Sequence, residues 1–143
     1  MDSRGRHAGQ SVPDSLEVRR LPDAYEPRPD ARWRPIAERW LRVRDPWTTW
    51  WIDGSVQVGL DAGTDADLIY VWMQPYASAD AGAVLSRRLG KPWVADLGDP
   101  WALDEMDVYP SALHRRLTLR HMAKMLGTAS GIVMSTPRPP TAF

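Results

Sequence analysis

The chain has 143 residues, the length of one domain able to bury a sizeable core, which excludes a multidomain enzyme. It has no cysteine, which excludes a disulfide scaffold, a thiol nucleophile and a thiolate metal site; 43% hydrophobic and 25% charged residues are ordinary globular composition. The zero net charge is sorted along the chain: residues 1–44 carry ten basic and seven acidic groups, residues 45–112 three and eleven, and residues 113–143 five and none.

Residues 1–14 are Gly-, Ser- and Arg-rich without periodicity and read as a disordered terminus. No apolar stretch in the chain reaches the roughly 20 residues of a membrane span, and none follows the first charges as in a secretory signal. The expected location is therefore the cytoplasm.

Ser15 to Pro22 alternates Leu16 and Val18 with charged neighbours and predicts a short strand. Pro22, Pro27 and Pro29 make the next stretch a loop. From Ala31 to Val43 the spacing of Trp33, Ile36, Ala37, Trp40 and Leu41 predicts an amphipathic helix that admits Pro35 only in its first turn. After the string DPWTTWW, Ile52 to Ala62 carries helical spacing again.

The second half is more regular. Asp67 to Met73 is a near-continuous apolar run, as in a strand buried on both faces of a parallel sheet. Ala77 to Leu89 predicts a helix with Gly90 at its C-cap. Pro92 to Leu97 predicts a second buried strand, Leu113 to Leu126 a helix ended by Gly127, and Gly131 to Ser135 a last strand. This β-α-β-α-β series means an α/β fold, Rossmann-like and three-layered, with a mostly parallel sheet over residues 15–137 and a tail at 138–143. The strands Leu68 to Met73, Trp93 to Asp96 and Ile132 to Met134 are expected side by side, parallel and buried.

Ligands of such sheets sit beyond the carboxyl ends of the strands. Three segments qualify: Gln74-Pro75-Tyr76-Ala77-Ser78, Asp96-Leu97-Gly98-Asp99-Pro100-Trp101 and Ser135-Thr136-Pro137. The middle one pairs two carboxylates with an indole, a combination suited to sugar hydroxyls and an apolar sugar face. Asp99 before Pro100 also suits a plain turn or helix cap.

Other patterns carry less. Asp65 and Asp67 form a D-x-D, but before their strand rather than after it. His114 and His121 are seven residues apart on one helix, about 10 Å, too far to share an ion, and His7 lies on the loose terminus, so no metal site is argued. Asp104, Glu105 and Asp107 read as a solvated face or helix-terminal charge. Trp47, Trp50 and Trp51 read as packing rather than a platform, with Trp72 and Trp93 in strands. Arg116, Arg120 and Lys124 form a stripe without interleaved aromatics, which argues against nucleic acid. The stripe reads as a solvated helix face, with weak contact to anionic lipid as the second reading. The opposed charges of residues 45–112 and 113–143 read as internal complementarity.

From Pro46 to Pro137, about two-thirds of the chain, these residues resemble the amino-terminal half of glycosyltransferase family 4 enzymes of the GT-B type. The likeness rests on Asp67-Leu68-Ile69, the Gln74 to Ser78 turn, the run Arg87-Arg88-Leu89-Gly90-Lys91-Pro92-Trp93-Val94-Ala95-Asp96, then Asp96-Leu97-Gly98-Asp99-Pro100-Trp101, and the ending at Ile132 to Pro137. The resemblance implies an acceptor-side fragment of an enzyme that transfers a sugar from a nucleotide sugar. It implies Asp99 as the catalytic group, with Gln74, Tyr76, Ser78, Asp96, Trp101 and Ser135 binding substrate. It implies no cofactor beyond the donor substrate, a sugar or lipid-linked acceptor, a cytoplasmic place or one peripheral at the inner membrane face, and a missing carboxyl-terminal donor domain.

The family's first strand and Gly-Gly loop find no counterpart, since Gly5 and Gly9 precede any strand. The chain is thus expected to be truncated at both ends and inactive alone. The alternative is a non-catalytic α/β remnant or binding module.

Overall fold

A computed structural model describes residues 16–21, 25–26, 34–42, 44–103 and 108–134. The elements in order are α1 (Arg34–Leu41), α2 (Pro46–Ala62), β1 (Ile69–Trp72), α3 (Ser78–Leu89), β2 (Trp93–Leu97), a short 3-10 turn (Trp101–Leu103), α4 (Ala112–Leu126) and β3 (Gly131–Met134). The three strands form one parallel sheet in the order β1-β2-β3, so the fold is α/β and Rossmann-like. Ile69 pairs with Trp93 and Trp72 with Asp96, while Val94 pairs with Gly131 and Leu97 with Met134.

Local chemistry sets the helix boundaries. Asp45 caps α2: one carboxylate oxygen accepts from the Thr48 amide at 2.9 Å and the other from the Thr48 hydroxyl at 2.5 Å. Pro46 then takes the first helical position, where its missing N–H costs nothing. DPWTTWW is therefore the first turns of the same helix as Ile52 to Ala62, which corrects the later start that the spacing suggested. Trp47 and Trp51, one turn apart, stack at 5.7 Å. Ser111 caps α4, accepting from the His114 amide at 3.4 Å. Gly90 ends α3 at φ +66°, a left-handed conformation that glycine adopts without a Cβ penalty.

One face of the sheet is the core. Met73, Trp93, Ala95 and Leu97 cluster with Ala79 of α3, Met125 of α4 and the turn residues Trp101 and Ala102, with Leu119, Met122 and Leu126 packed against them. The Trp93 indole, fully buried, donates to the Thr128 carbonyl at 2.8 Å, which satisfies its one polar atom. Gly82 lets α3 lie close on the sheet, because a Cβ there would meet Val71 at 2.8 Å and the Trp93 ring at 3.0 Å. Helix α2 packs on α3, where Gly59 meets Leu85 in the same way.

The other face corrects the expectation of fully buried strands. Only β2 keeps alternate residues fully buried; Tyr70 and Trp72 of β1 stand 57% and 60% exposed, and Ile132, Val133 and Met134 of β3 about half. Trp72 is thus surface rather than core. The physical reason is position: β1 and β3 are the edge strands, and α3 and α4 cover one side. Of the strand expected at Ser15 to Pro22, the described residues 16–21 are irregular, with Leu16 and Val18 more than half exposed. Alternation over two apolar residues is too little to fix a strand without a neighbour to pair with. Asp104, Glu105 and Asp107 lie outside the described residues, as do residues 1–14 and 138–143.

Candidate functional site at the carboxyl ends of the strands

The loops that leave β1 and β2 meet. Gln74, just past β1, donates from its side-chain nitrogen to the Asp99 carboxylate at 2.8 Å, and Asp99 lies on the bend just past β2. Tyr76 stacks on Trp101 with ring centres 5.3 Å apart and planes 10° from parallel. The Gln74–Pro75 peptide is cis. The parallel register is what brings these side chains together, because it carries both strands toward the same end.

The two carboxylates of the middle segment have separate partners. Asp96 projects with Tyr70 onto the open face, where its carboxylate accepts the Tyr70 hydroxyl hydrogen. That bond holds the phenol above its ordinary pKa. Asp99 is exposed and held by Gln74. Ser78 is 7% exposed, and its hydroxyl accepts from the Trp51 indole at 3.1 Å, which ties α3 to α2. Ser135 lies outside the described residues. The residues brought together at one place are thus Gln74, Tyr76, Asp99 and Trp101. Asp65 and Asp67 are exposed ahead of β1, at the opposite end of that strand.

Behind the aromatic pair is a cavity of about 380 Å³ lined by Arg42, Arg44, Tyr76, Asp80, Trp101 and His121, with Ala77. Asp80, in the first turn of α3, takes Arg44 at 3.1 Å on one oxygen and His121 of α4 at 3.3 Å on the other. His121 also stands edge-on to Trp101 at 6.0 Å. Arg42 reaches the other way, donating to the Thr118 hydroxyl at 2.9 Å and the His114 carbonyl at 3.3 Å. His114 and His121 thus serve separate contacts, His114 also meeting the Trp40 carbonyl at 3.0 Å. Among the described residues, no group of three His, Cys, Asp or Glu side chains is placed to hold a metal.

Sequence reasoning missed Arg42, Arg44 and Asp80 altogether. Asp80 carries one weak sign, an acidic residue in a helix's first turn, which needs no ligand to explain it. A larger cavity, about 680 Å³, lies between residues 19–21 and α2. Its walls are mainly apolar, and of its two arginines Arg19 is paired with Glu17 at 2.7 Å, so the smaller cavity is the chemically richer one. No helix among the described residues is long and apolar enough to cross a membrane. Compared with protein-family models, curated proteins and solved structures, the chain matches none.

Proposed function

We propose that this chain is the acceptor-side portion of a glycosyltransferase of the GT-B type, using a nucleotide sugar held by a separate donor-binding domain. The observation that carries the reading is the junction of the β1 and β2 loops, where Gln74 holds Asp99 beside the Tyr76–Trp101 stack. These are the segments in which the sequence resembles that family. An exposed carboxylate beside stacked rings suits a sugar: the carboxylate accepts from a hydroxyl and a ring covers the less polar face.

In this reading Asp99 holds the acceptor hydroxyl as a hydrogen-bond acceptor, Gln74 fixes the carboxylate's direction, and Tyr76 and Trp101 bound the sugar. The charge that develops on the leaving nucleoside diphosphate needs preorganised donors, which we assign to the donor-binding domain. The chain by itself is then inactive. We place it in the cytoplasm, where nucleotide sugars are met.

The test is a hybrid joining the chain to the donor-binding half of a family 4 enzyme, assayed for nucleoside diphosphate release with sugar acceptors. Transfer that falls at least tenfold in the Asp99→Ala hybrid, with an unchanged circular dichroism spectrum, supports the reading. Unchanged turnover removes Asp99 from the site. A hybrid that binds donor yet transfers nothing to any acceptor removes the reading and favours a non-catalytic binding module.

A further inference from the structure

The cavity of Arg42, Arg44, Asp80 and His121 is lined by two residues of left-handed backbone, one of them directly after the end of α1. Among the described residues, the non-glycine residues at positive φ are Arg42, at +54°, and Trp101, at +50°, and both line it. A left-handed backbone at a bulky side chain costs about 1–3 kcal/mol and persists where the surroundings over-determine it, commonly at ligand sites. Both residues line the same space, from segments 59 residues apart in the chain.

The lining is mixed in a specific way. Arg44 and His121 pair with one carboxylate, Asp80, 16% exposed; Arg44 is about half exposed, and Arg42, tied to α4 by one guanidinium nitrogen, lines the same cavity. Each guanidinium has five N–H donors in a planar fork. The contacts above engage some of them, and a bidentate anion fits the rest. An anion there offsets the excess of two guanidinium groups over one carboxylate, while Asp80 repels an anion placed on it and favours a hydroxyl donor. Tyr76 and Trp101 add an aromatic wall. A volume near 380 Å³ is that of a small-molecule site.

We infer that the cavity between α3, α4 and the α1–α2 junction binds a phosphorylated, hydroxylated small molecule of the sugar monophosphate class. Its phosphate lies on Arg42 and Arg44, a hydroxyl donates to Asp80, and its ring lies against Tyr76 and Trp101. Asp99 and Gln74 do not line this cavity, so the site is separate from the one proposed above and does not rest on that reading.

The experiment is equilibrium binding to the full chain, by calorimetry and by phosphorus NMR, of glucose 1-phosphate, inorganic phosphate, glucose and glucuronate. Glucose 1-phosphate is expected to bind tightest, inorganic phosphate more weakly, and glucose and glucuronate at least tenfold more weakly than the sugar phosphate. Arg44→Gln and Asp80→Asn are expected to weaken the sugar phosphate about tenfold, with Asp80→Asn leaving inorganic phosphate unchanged or tighter. Because Arg42 also ties to α4, Arg42→Gln is read beside Arg42→Lys and a circular dichroism spectrum of each. Absence of sugar phosphate binding at millimolar concentration, equal binding of glucose, glucuronate or inorganic phosphate, or unchanged affinity in Arg44→Gln overturns the inference. Binding with a silent hybrid keeps this site and removes the transferase reading; transfer without phosphate binding does the reverse.

Discussion

Asp45 shows how much a single side chain sets. Burial pushes its carboxyl up, but the hydrogen bonds from the Thr48 hydroxyl and amide outweigh that and leave it below the usual carboxylate range. The cap therefore contributes stability in full above the ordinary carboxylate pKa, and loses it as the pH falls through the lowered folded value. Asp45→Ala is expected to cost about 1 kcal/mol at neutral pH. It also flattens the acid limb of the stability curve, measured by urea unfolding at a series of pH values; an unchanged midpoint at pH 7 means that the cap contributes nothing. Pro46 is legible from the same dipeptide, since Asp-Pro supplies cap and first helical position together. Asp99-Pro100 looks alike in sequence, yet there the carboxylate meets Gln74 from another strand's loop. Neighbouring residues alone do not separate these two outcomes.

Helices and strands were legible where their own period carried them. Helix α3 runs Ser78–Leu89 with Gly90 as its C-cap, and the three parallel strands fall within the apolar runs that predicted them. Two glycines test the packing that follows. Gly90→Ala has free space for its Cβ but a left-handed backbone, so it is expected to cost about 1–2 kcal/mol. Gly82→Ala has an ordinary helical backbone, and a gain in propensity of about 1 kcal/mol, set against contacts at 2.8 and 3.0 Å with Val71 and Trp93. Overpacking of this kind costs about 1–3 kcal/mol, so the net effect is destabilising. Thermal or denaturant unfolding of both variants checks the pair; a stabilised Gly82→Ala means that α3 has room to move off the sheet.

At the scale of the molecule, the described residues form a sheet with one covered face. Tyr70, Trp72 and the exposed residues of β3 present apolar surface, and β1 and β3 are the sheet's edges. Exposed edges and apolar faces favour association between chains. The isolated chain is expected to self-associate at micromolar concentration and to bind a hydrophobic dye, and Trp72→Lys to reduce both without loss of secondary structure. Light scattering and dye fluorescence measure this; a chain that stays monomeric at micromolar concentration and binds no dye contradicts it. Among the described residues of the opposed charge blocks, Arg116, Arg120 and Lys124 are exposed on α4, while Asp80 is reached by Arg44 and His121.

Local pattern by itself determined the parallel α/β series, the cap at Gly90 and the loops that follow β1 and β2, because each depends on residues within a few positions of one another. It also placed Gln74, Tyr76, Asp99 and Trp101 at strand ends, where a parallel sheet gathers its loops. Only the tertiary structure decided which face of the sheet is covered, that Ser78 is committed to Trp51, and that Asp96 turns to Tyr70. Only it brought Arg42, Arg44, Asp80 and His121 around one cavity. The hydrogen bonds and ion pairs among these residues join side chains 26 to 41 positions apart, and no period or short motif encodes a distance that arises when helices pack across a sheet.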